Sequence, residues 1–176
     1  QEMAEALSGY DNLAVARTKV DKLALPVEIG DDYTAMIGDL IDGFDSLVES
    51  ADDPAISQEL AGFVLLNLAK EALGQERAAV ARGTAGGGFS ASDRNEAHED
   101  RVRYQSFAEA FATAMPHELT RTWEDFVTQR AFTDAVAVEN LAINVGTVPE
   151  ADRWWQVSTA RIDAVQQYVT GLADQI

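Results

Sequence analysis

Hydrophobic residues recur with a helical period along most of the chain. The clearest stripe follows the i, i+3, i+4, i+7 rule of a helix with one apolar face. It consists of Tyr33, Met36, Ile37, Leu40, Ile41, Phe44, Leu47 and Val48. A similar pattern before it predicts a helix from Leu13 to Leu25, which ends at Pro26. Because no strand pattern of comparable length competes, the sequence predicts an all-α protein.

Capping and breaking signals divide the rest of the chain into long helices. Asp53 suits an N-cap and Pro54 a first helical turn, so a helix is predicted from Pro54 to about Arg82. The glycine-rich segment 83–88 breaks it. Further helices are predicted from Ser90 or Ser92 to Met115, from His117 into segment 135–145, continuous or kinked, and from Glu150 to Ala173. This order is typical of an antiparallel up-and-down helical bundle.

Composition narrows the classes of partner. Hydrophobic residues make up 47% of the 176 residues, which favours a packed globule over a disordered chain. Acidic residues outnumber basic ones 30 to 13, for a net charge of −17, so binding to nucleic acid is not expected. The chain has no cysteine, which excludes disulfides and thiolate metal sites. It shows no signal peptide and no apolar run of the length that spans a bilayer.

Motifs for catalysis or metal binding are absent from the sequence. His98 and His117 do not follow a glutamate at the Glu-x-x-His spacing of helical di-metal sites. There is no Gly-x-Ser-x-Gly motif, and segment 83–88 lacks the Lys-Ser/Thr ending of a phosphate-binding loop. We therefore expect no catalytic residues, no metal and no cofactor in this domain.

Four cationic residues fall on partly apolar helix faces. Lys70 and Arg77 lie seven residues apart on the long helix predicted from Pro54 to Arg82, and Arg130 and Arg161 continue apolar strips on later helices. A buried guanidinium must be paired or hydrogen-bonded, because its desolvation alone costs several kcal/mol. Two interpretations remain open. The arginines pair with acidic residues at the bundle edge, or they converge on a small anion. The acidic partners considered are Glu71, Glu76, Asp134 and Asp163.

The chain resembles the nitrate- and nitrite-sensing domain, the NIT domain, of actinobacterial histidine kinases. The resemblance rests on four stretches in the family's order: RTKVD (17–21), YTAMIGDLIDGFDSL (33–47), LAKEALGQERAAVARGTAGGGFS (68–90) and RWWQVSTARIDAVQQYVTGL (153–172). It implies one sensor domain over residues 1–176, folded as two four-helix-type bundles that share long helices. The family's first helix, which carries a Q-x-E-R sequence, is expected to be missing here.

The resemblance also implies a ligand, a location and partners. The expected ligand is nitrate or nitrite, held between helices by arginines. Its motifs place Arg77 and, by the RID sequence, Arg161 at that site, whereas Lys70 and Arg130 have no match in the family. The domain is expected on the extracellular face of the plasma membrane, linked to transmembrane and kinase regions, as a homodimer. A roadblock-type protein and a small GTPase are expected as indirect partners of the full-length kinase.

Three functions remain open from the sequence. The first is a sensor that binds a small anion and passes a helix shift across the membrane. The second is a constitutive dimerisation scaffold in which Arg77 closes an interhelical salt bridge. The third is a helical-bundle sensor of a different small molecule. None of the three makes this domain an enzyme.

Overall fold

The computed structural model describes Thr18, residues 34–39, Gly43 and residues 48–173. From Pro54 onward its helices are α1 (Pro54–Ala85), α2 (Ala91–Ala114), α3 (His117–Val127), α4 (Arg130–Asn140), a π-helical turn (Leu141–Val145) and α5 (Ala151–Ala173). The described residues contain no strand, and the all-α prediction is confirmed. The helix predicted over 13–25 lies outside the described residues. Of the stripe over 33–48, residues 34–39, Gly43 and Val48 are described, and all are helical.

The chain divides into two compact units, Gln1–Val64 and Leu65–Ile176, with the boundary inside α1. In the first unit Asp53 caps α1 as predicted, because its Oδ1 accepts a hydrogen bond from the backbone N–H of Ala55 at 2.8 Å. A single domain of two bundles that share long helices stays a prediction. The second unit contains the polar side chains described below.

The turn between α1 and α2 is fixed by a capping box at the start of α2 and by a ring packed on a glycine at the end of α1. The Ser90 hydroxyl accepts from the Asp93 N–H, and the Asp93 carboxylate accepts from the Ser90 N–H, both at 3.0 Å. This capping box selects Ser90 from the two predicted caps. At the end of α1 the Phe89 ring lies directly against the Cα of Gly83, where any side chain would collide with it.

The long helix predicted from His117 is divided into α3 and α4. Thr128 ends α3, and its hydroxyl donates to the carbonyl of Asp125 at 2.7 Å. Helix α4 then runs into the π-helical turn, which ends at Gly146 with φ of 75°. A left-handed residue at this position is best supplied by glycine. Within this turn, Asn144 Nδ2 donates to Asn140 Oδ1 at 3.1 Å.

Helix α1 runs antiparallel to both α2 and α5 within the second unit. Its Lys70 and Glu76 contact Gln166 and Arg161 of α5, in reverse order along the chain. On the α2 side Gln75 contacts Arg103 and Arg82 contacts Glu96. These pairs agree with the predicted antiparallel arrangement.

The buried face of α1 differs in one respect from the predicted face. Leu66, Leu73 and Val80 are fully buried, as their spacing predicts. The prediction put Arg77 on that face, but the fully buried polar residue is its neighbour Glu76, and Arg77 is only half-buried. Small alanines complete the face and carry little hydrophobic signal. They are Ala69, Ala72 and Ala79.

Two apolar clusters occupy different levels of the second unit. The alanine-rich cluster contains Ala79, Val80, Ala97, Ala135, Ala142, Ile143, Trp154 and Val157. The aromatic cluster is a network of ring contacts with centroids 5.0 to 6.3 Å apart. Its members are Phe111, Trp123, Phe126, Phe132 and Tyr168. Along α2 and α5, polar residues lie between these two clusters.

Candidate functional site: a buried polar layer and its pocket

Four polar side chains form a layer, here called the polar layer, at core positions of four helices. They are Glu76 of α1, Tyr104 of α2, Glu139 of α4 and Arg161 of α5. Each lies seven residues from a core residue of the same helix: Ala69, Phe111, Phe132 and Trp154, respectively. Because a heptad step returns to nearly the same face, these four positions would ordinarily hold apolar residues.

Arg161 is the centre of the polar layer and is 1% exposed. Its Nη1 donates to Glu139 Oε2 at 2.7 Å, and its Nη2 donates to Glu76 Oε2 at 2.9 Å. The guanidinium carbon lies 5.7 Å from the centre of the Tyr104 ring, within cation–π range. Two carboxyl groups from α1 and α4 therefore hold one cation of α5, which ties three helices together.

The two carboxyl groups on Arg161 cannot both ionise easily. Burial raises the pKa of Glu76 to about 8. Arg161 opposes this shift, and the nearby Glu139 adds to it by repulsion and by a hydrogen bond between the two carboxyl groups. Burial also raises the pKa of Tyr104 to about 12, so its ring stays neutral. At neutral pH Glu76 is therefore mostly protonated.

Two buried polar atoms of the layer have no hydrogen-bond acceptor or donor opposite them among the described residues. They are Oε1 of Glu76 and Nε of Arg161. An unsatisfied buried group of this kind costs about 1–3 kcal/mol, more when it is charged. A proton on Glu76 Oε1 would turn that oxygen from an acceptor without a donor into a donor. The Nε–H of Arg161 still lacks an acceptor.

A second arginine, Arg101 of α2, lies beside the layer. Its Nη1 donates to Glu139 Oε1 at 3.3 Å and to Asn140 Oδ1 at 3.2 Å. Its Nη2 donates to His98 Nδ1 at 3.1 Å and to Asn144 Oδ1 at 3.4 Å. Since a guanidinium has no acceptor, this contact fixes His98 with an unprotonated Nδ1. The Arg101 side chain is 14% exposed, so it stands between the buried layer and solvent.

Arg101 and Arg161 line the same pocket, which has a volume of about 330 Å³. Its walls come from α2, α4, the π-helical turn and α5, and its outer residues are exposed. The lining residues are Arg101, Tyr104, Gln105, Val136, Glu139, Asn140, Asn144 and Arg161. The pocket therefore presents two guanidinium groups, three side-chain amides and one carboxylate, with Val136 as its one aliphatic wall.

The structure separates the two arginines that the family motifs single out. Arg161 is in the polar layer, whereas Arg77 donates to Thr159 Oγ1 at 3.2 Å and stacks 4.5 Å from the Trp155 ring. Trp155 is 56% exposed, so this stack lies at the surface. Burial lowers the pKa of Arg77, against the attraction of Asp163. Arg77 does not line the pocket.

Lys70 and Arg130 also lie away from the pocket. Lys70 donates to Asn67 and to Gln166, and burial lowers its pKa. Arg130 is 90% exposed and forms an i, i+4 pair with Asp134 at 3.4 Å. The salt-bridge interpretation named Glu76 and Asp134 among the possible partners, and the structure pairs Glu76 with Arg161 and Asp134 with Arg130.

Sequence reasoning did not find Arg101, Tyr104, Glu139 or the two asparagines. A signal was present for two of them, because Tyr104 and Glu139 occupy heptad positions between apolar core residues. No such signal marks Arg101, which follows the acidic segment 96–100 and resembles a residue of a solvated helix face. Within residues 34–39 and 48–173, no three His, Asp or Glu side chains are grouped to hold a metal ion. No helix of the described part has the length and apolarity to cross a membrane.

The whole sequence, residues 1–176, matches the family NIT, described as nitrate and nitrite sensing. The match covers all four stretches on which the resemblance was based, and that prediction is confirmed. A sensing family agrees with the expectation that this domain is not an enzyme. No curated protein and no solved structure matches the chain.

Proposed function

Since the chain belongs to the NIT family of nitrate- and nitrite-sensing domains, we propose that its pocket binds one of these anions between Arg101 and Arg161. The observation that carries the proposal is the buried Nε–H of Arg161, which lacks an acceptor beside a pocket that Arg161 itself lines. An oxyanion would supply that acceptor. Arg101 supplies a second guanidinium group that lines the same pocket.

The chemistry of the pocket suits a small planar oxyanion. Guanidinium groups are planar and donate pairs of parallel N–H bonds to planar oxygen acceptors. The amides of Gln105, Asn140 and Asn144 add donors that carry no charge. A volume of about 330 Å³ equals roughly ten waters at about 30 Å³ each, so the anion would share the pocket with water.

Local charge favours an anion although the protein carries −17 overall. The pocket walls carry the charges of Arg101, Arg161 and Glu139, which sum to +1. Burial strengthens the field of these groups relative to that of surface carboxylates, which water and salt screen. The pocket is thus a positive site on an acidic protein.

We further propose that this domain is the extracellular sensor of a membrane histidine kinase and that α5 carries the signal. The anion would contact α2 through Arg101 and α5 through Arg161, so it would favour the helix arrangement in which both reach it. A displacement of about 1–2 Å along α5 is sufficient for such a signal.

A thermal-shift series tests the proposed ligand. The domain is melted with sodium nitrate, nitrite, chloride or sulfate at matched ionic strength. At about 100 times the dissociation constant, binding adds roughly 2.7 kcal/mol, which raises the Tm of a domain of this size by about 5–10 °C. We expect this shift for nitrate or nitrite but not for chloride or sulfate.

Three matched variants locate the site. Arg101→Gln should abolish the anion-specific shift. The fold should persist because Glu139 keeps its bond to Arg161. Arg130→Gln, a variant of a 90% exposed residue, should keep the shift. A shift that survives Arg101→Gln but disappears in Arg77→Gln would place the ligand at Arg77 and overturn the proposed pocket.

The second candidate function is a scaffold without an anion. The observation that favours it is the full pairing of both Nη atoms of Arg161 by carboxyl groups, which is the arrangement of a structural ion pair. A scaffold would show no anion-specific Tm shift in any of the four salts. Its Arg101→Gln variant would melt in the same way with and without nitrate.

A further inference from the structure

We propose that the carboxyl pair Glu76–Glu139 takes up a proton when an anion enters the pocket, so that the domain binds the anion and a proton together. This inference rests on the proposed anion site. Glu76 of α1 and Glu139 of α4 both form ion pairs with Arg161, and both carboxyl groups are buried. The chemical class of the second ligand is therefore the hydrogen ion itself.

The geometry of the pair provides a place for one proton. Glu76 and Glu139 are 0% and 2% exposed, and each gives one oxygen to Arg161. The other oxygen of Glu139 accepts from Arg101, whereas Oε1 of Glu76 has no donor among the described residues. One proton on Glu76 makes this carboxyl a donor, and a hydrogen bond to Glu139 is among the causes that raise the pKa of Glu76.

The charges of the cluster set the direction of the coupling. Arg101, Arg161, Glu76 and Glu139 sum to zero when all four are ionised. When Glu76 is protonated they sum to +1, which one nitrate or nitrite neutralises. The anion thus stabilises the protonated pair, and by reciprocity the protonated pair binds the anion more tightly.

Other titratable groups face the carboxyl pair without changing this assignment. Tyr104 of α2 stays neutral because burial raises its pKa to about 12, and Arg101 and Arg161 stay charged. His98 contacts Arg101 rather than either carboxyl. The pKa of Glu76, raised to about 8, lies inside the range from pH 7 to 9.5, whereas the raised pKa of Tyr104 lies above it.

The pKa of Glu76, raised to about 8 by burial, gives the pH window. Below pH 8 the pair already holds its proton, so anion affinity should be nearly constant. Above pH 8 the proton must be taken up on binding, and affinity should fall by up to about tenfold per pH unit. Glu76→Gln imitates the protonated group, so it should keep the affinity of the wild type at pH 7 and lose the fall above pH 8.

Calorimetric titration with sodium nitrate, in two buffers of different ionisation enthalpy, measures the proton directly and needs no variant. The number of protons taken up should be near zero at pH 7. At pH 8 it should approach about half a proton, and at pH 9 it should be close to one. Asp100→Asn is the matched control, because Asp100 is buried with a pKa raised to about 6 but does not line the pocket. This variant should keep the proton uptake of the wild type.

The outcomes separate the two proposals. Nitrate binding with the same affinity from pH 7 to 9.5, or without proton uptake at pH 9, would overturn the coupling and leave the anion site intact. No heat of nitrate binding at any pH would overturn both. Proton uptake that persists in Glu76→Gln would overturn the assignment to this pair.

Discussion

At the scale of single residues, the most consequential feature is one cation enclosed by two carboxyl groups. Arg161 is paired on both Nη atoms, and its partners are as buried as it is. Replacing a whole buried ion cluster by apolar groups is often neutral, but removing one member leaves the others without compensation. Arg161 therefore has a structural role whether or not an anion binds beside it.

The first prediction concerns the loss of that cation. Arg161→Ala should lower the free energy of unfolding by about 3–5 kcal/mol at pH 7, because Glu139 stays buried without its principal partner. Urea denaturation followed by far-UV circular dichroism measures the change. Arg130→Ala is the control and should change the free energy by less than about 0.5 kcal/mol, as its side chain is 90% exposed. If both variants lowered the free energy of unfolding by the same small amount, the ion pairs of Arg161 with Glu76 and Glu139 would not contribute to stability as described.

At the scale of helices, the sequence pattern predicted the elements better than their exact faces. The start of α1 at Pro54 and the Ser90 cap follow directly from local chemistry, and both are confirmed. On the buried face of α1 the prediction placed the polar position at Arg77, whereas the structure places it at Glu76. The period of 3.6 residues drifts against a heptad, and the alanines beside Glu76 are too small to fix the direction of the face.

Two glycines of α1 give the second prediction, and each serves as the control of the other. A methyl group at Gly74 meets open space, so Gly74→Ala should stabilise the protein by roughly 0.5–1 kcal/mol through lower backbone entropy in the unfolded state. A methyl group at Gly83 collides with the Phe89 ring, so Gly83→Ala should destabilise it through overpacking, by about 1 kcal/mol or more. Thermal unfolding of the two variants tests the pair. Stabilisation by both would show that Phe89 does not rest on Gly83.

At the scale of the whole molecule, fold class and family follow from the sequence, whereas the pocket does not. Periodicity and breakers are local properties, and they predicted α1, α2 and α5 to within a few residues, whereas the helix predicted from His117 is divided into α3 and α4. The pocket depends on which side chains of α2, α4 and α5 meet in space. Arg161 was found because it interrupts an apolar strip, but Arg101 was missed because its neighbours in sequence are acidic and solvated. Only the packing of α2 against α4 brings it to Glu139.

The net charge of −17 leads to the last prediction. The protein has 30 acidic and 13 basic residues, so repulsion among the excess carboxylates outweighs attraction. Folding brings these charges closer together and therefore costs electrostatic free energy. Raising sodium chloride from 10 mM to 0.1 M shortens the Debye length from about 30 Å to about 10 Å, so Tm should rise. Salt also weakens surface pairs such as Arg82–Glu96, but each contributes at most about 1 kcal/mol.

Chloride is itself an anion, so the control is the same increase in sodium chloride with the Arg101→Gln variant. The comparison separates screening of surface charge from binding of chloride in the pocket. An equal rise in both proteins would assign the effect to screening. A rise confined to the wild type would assign it to chloride in the pocket, and an unchanged Tm in both would mean that the acidic surface does not limit stability.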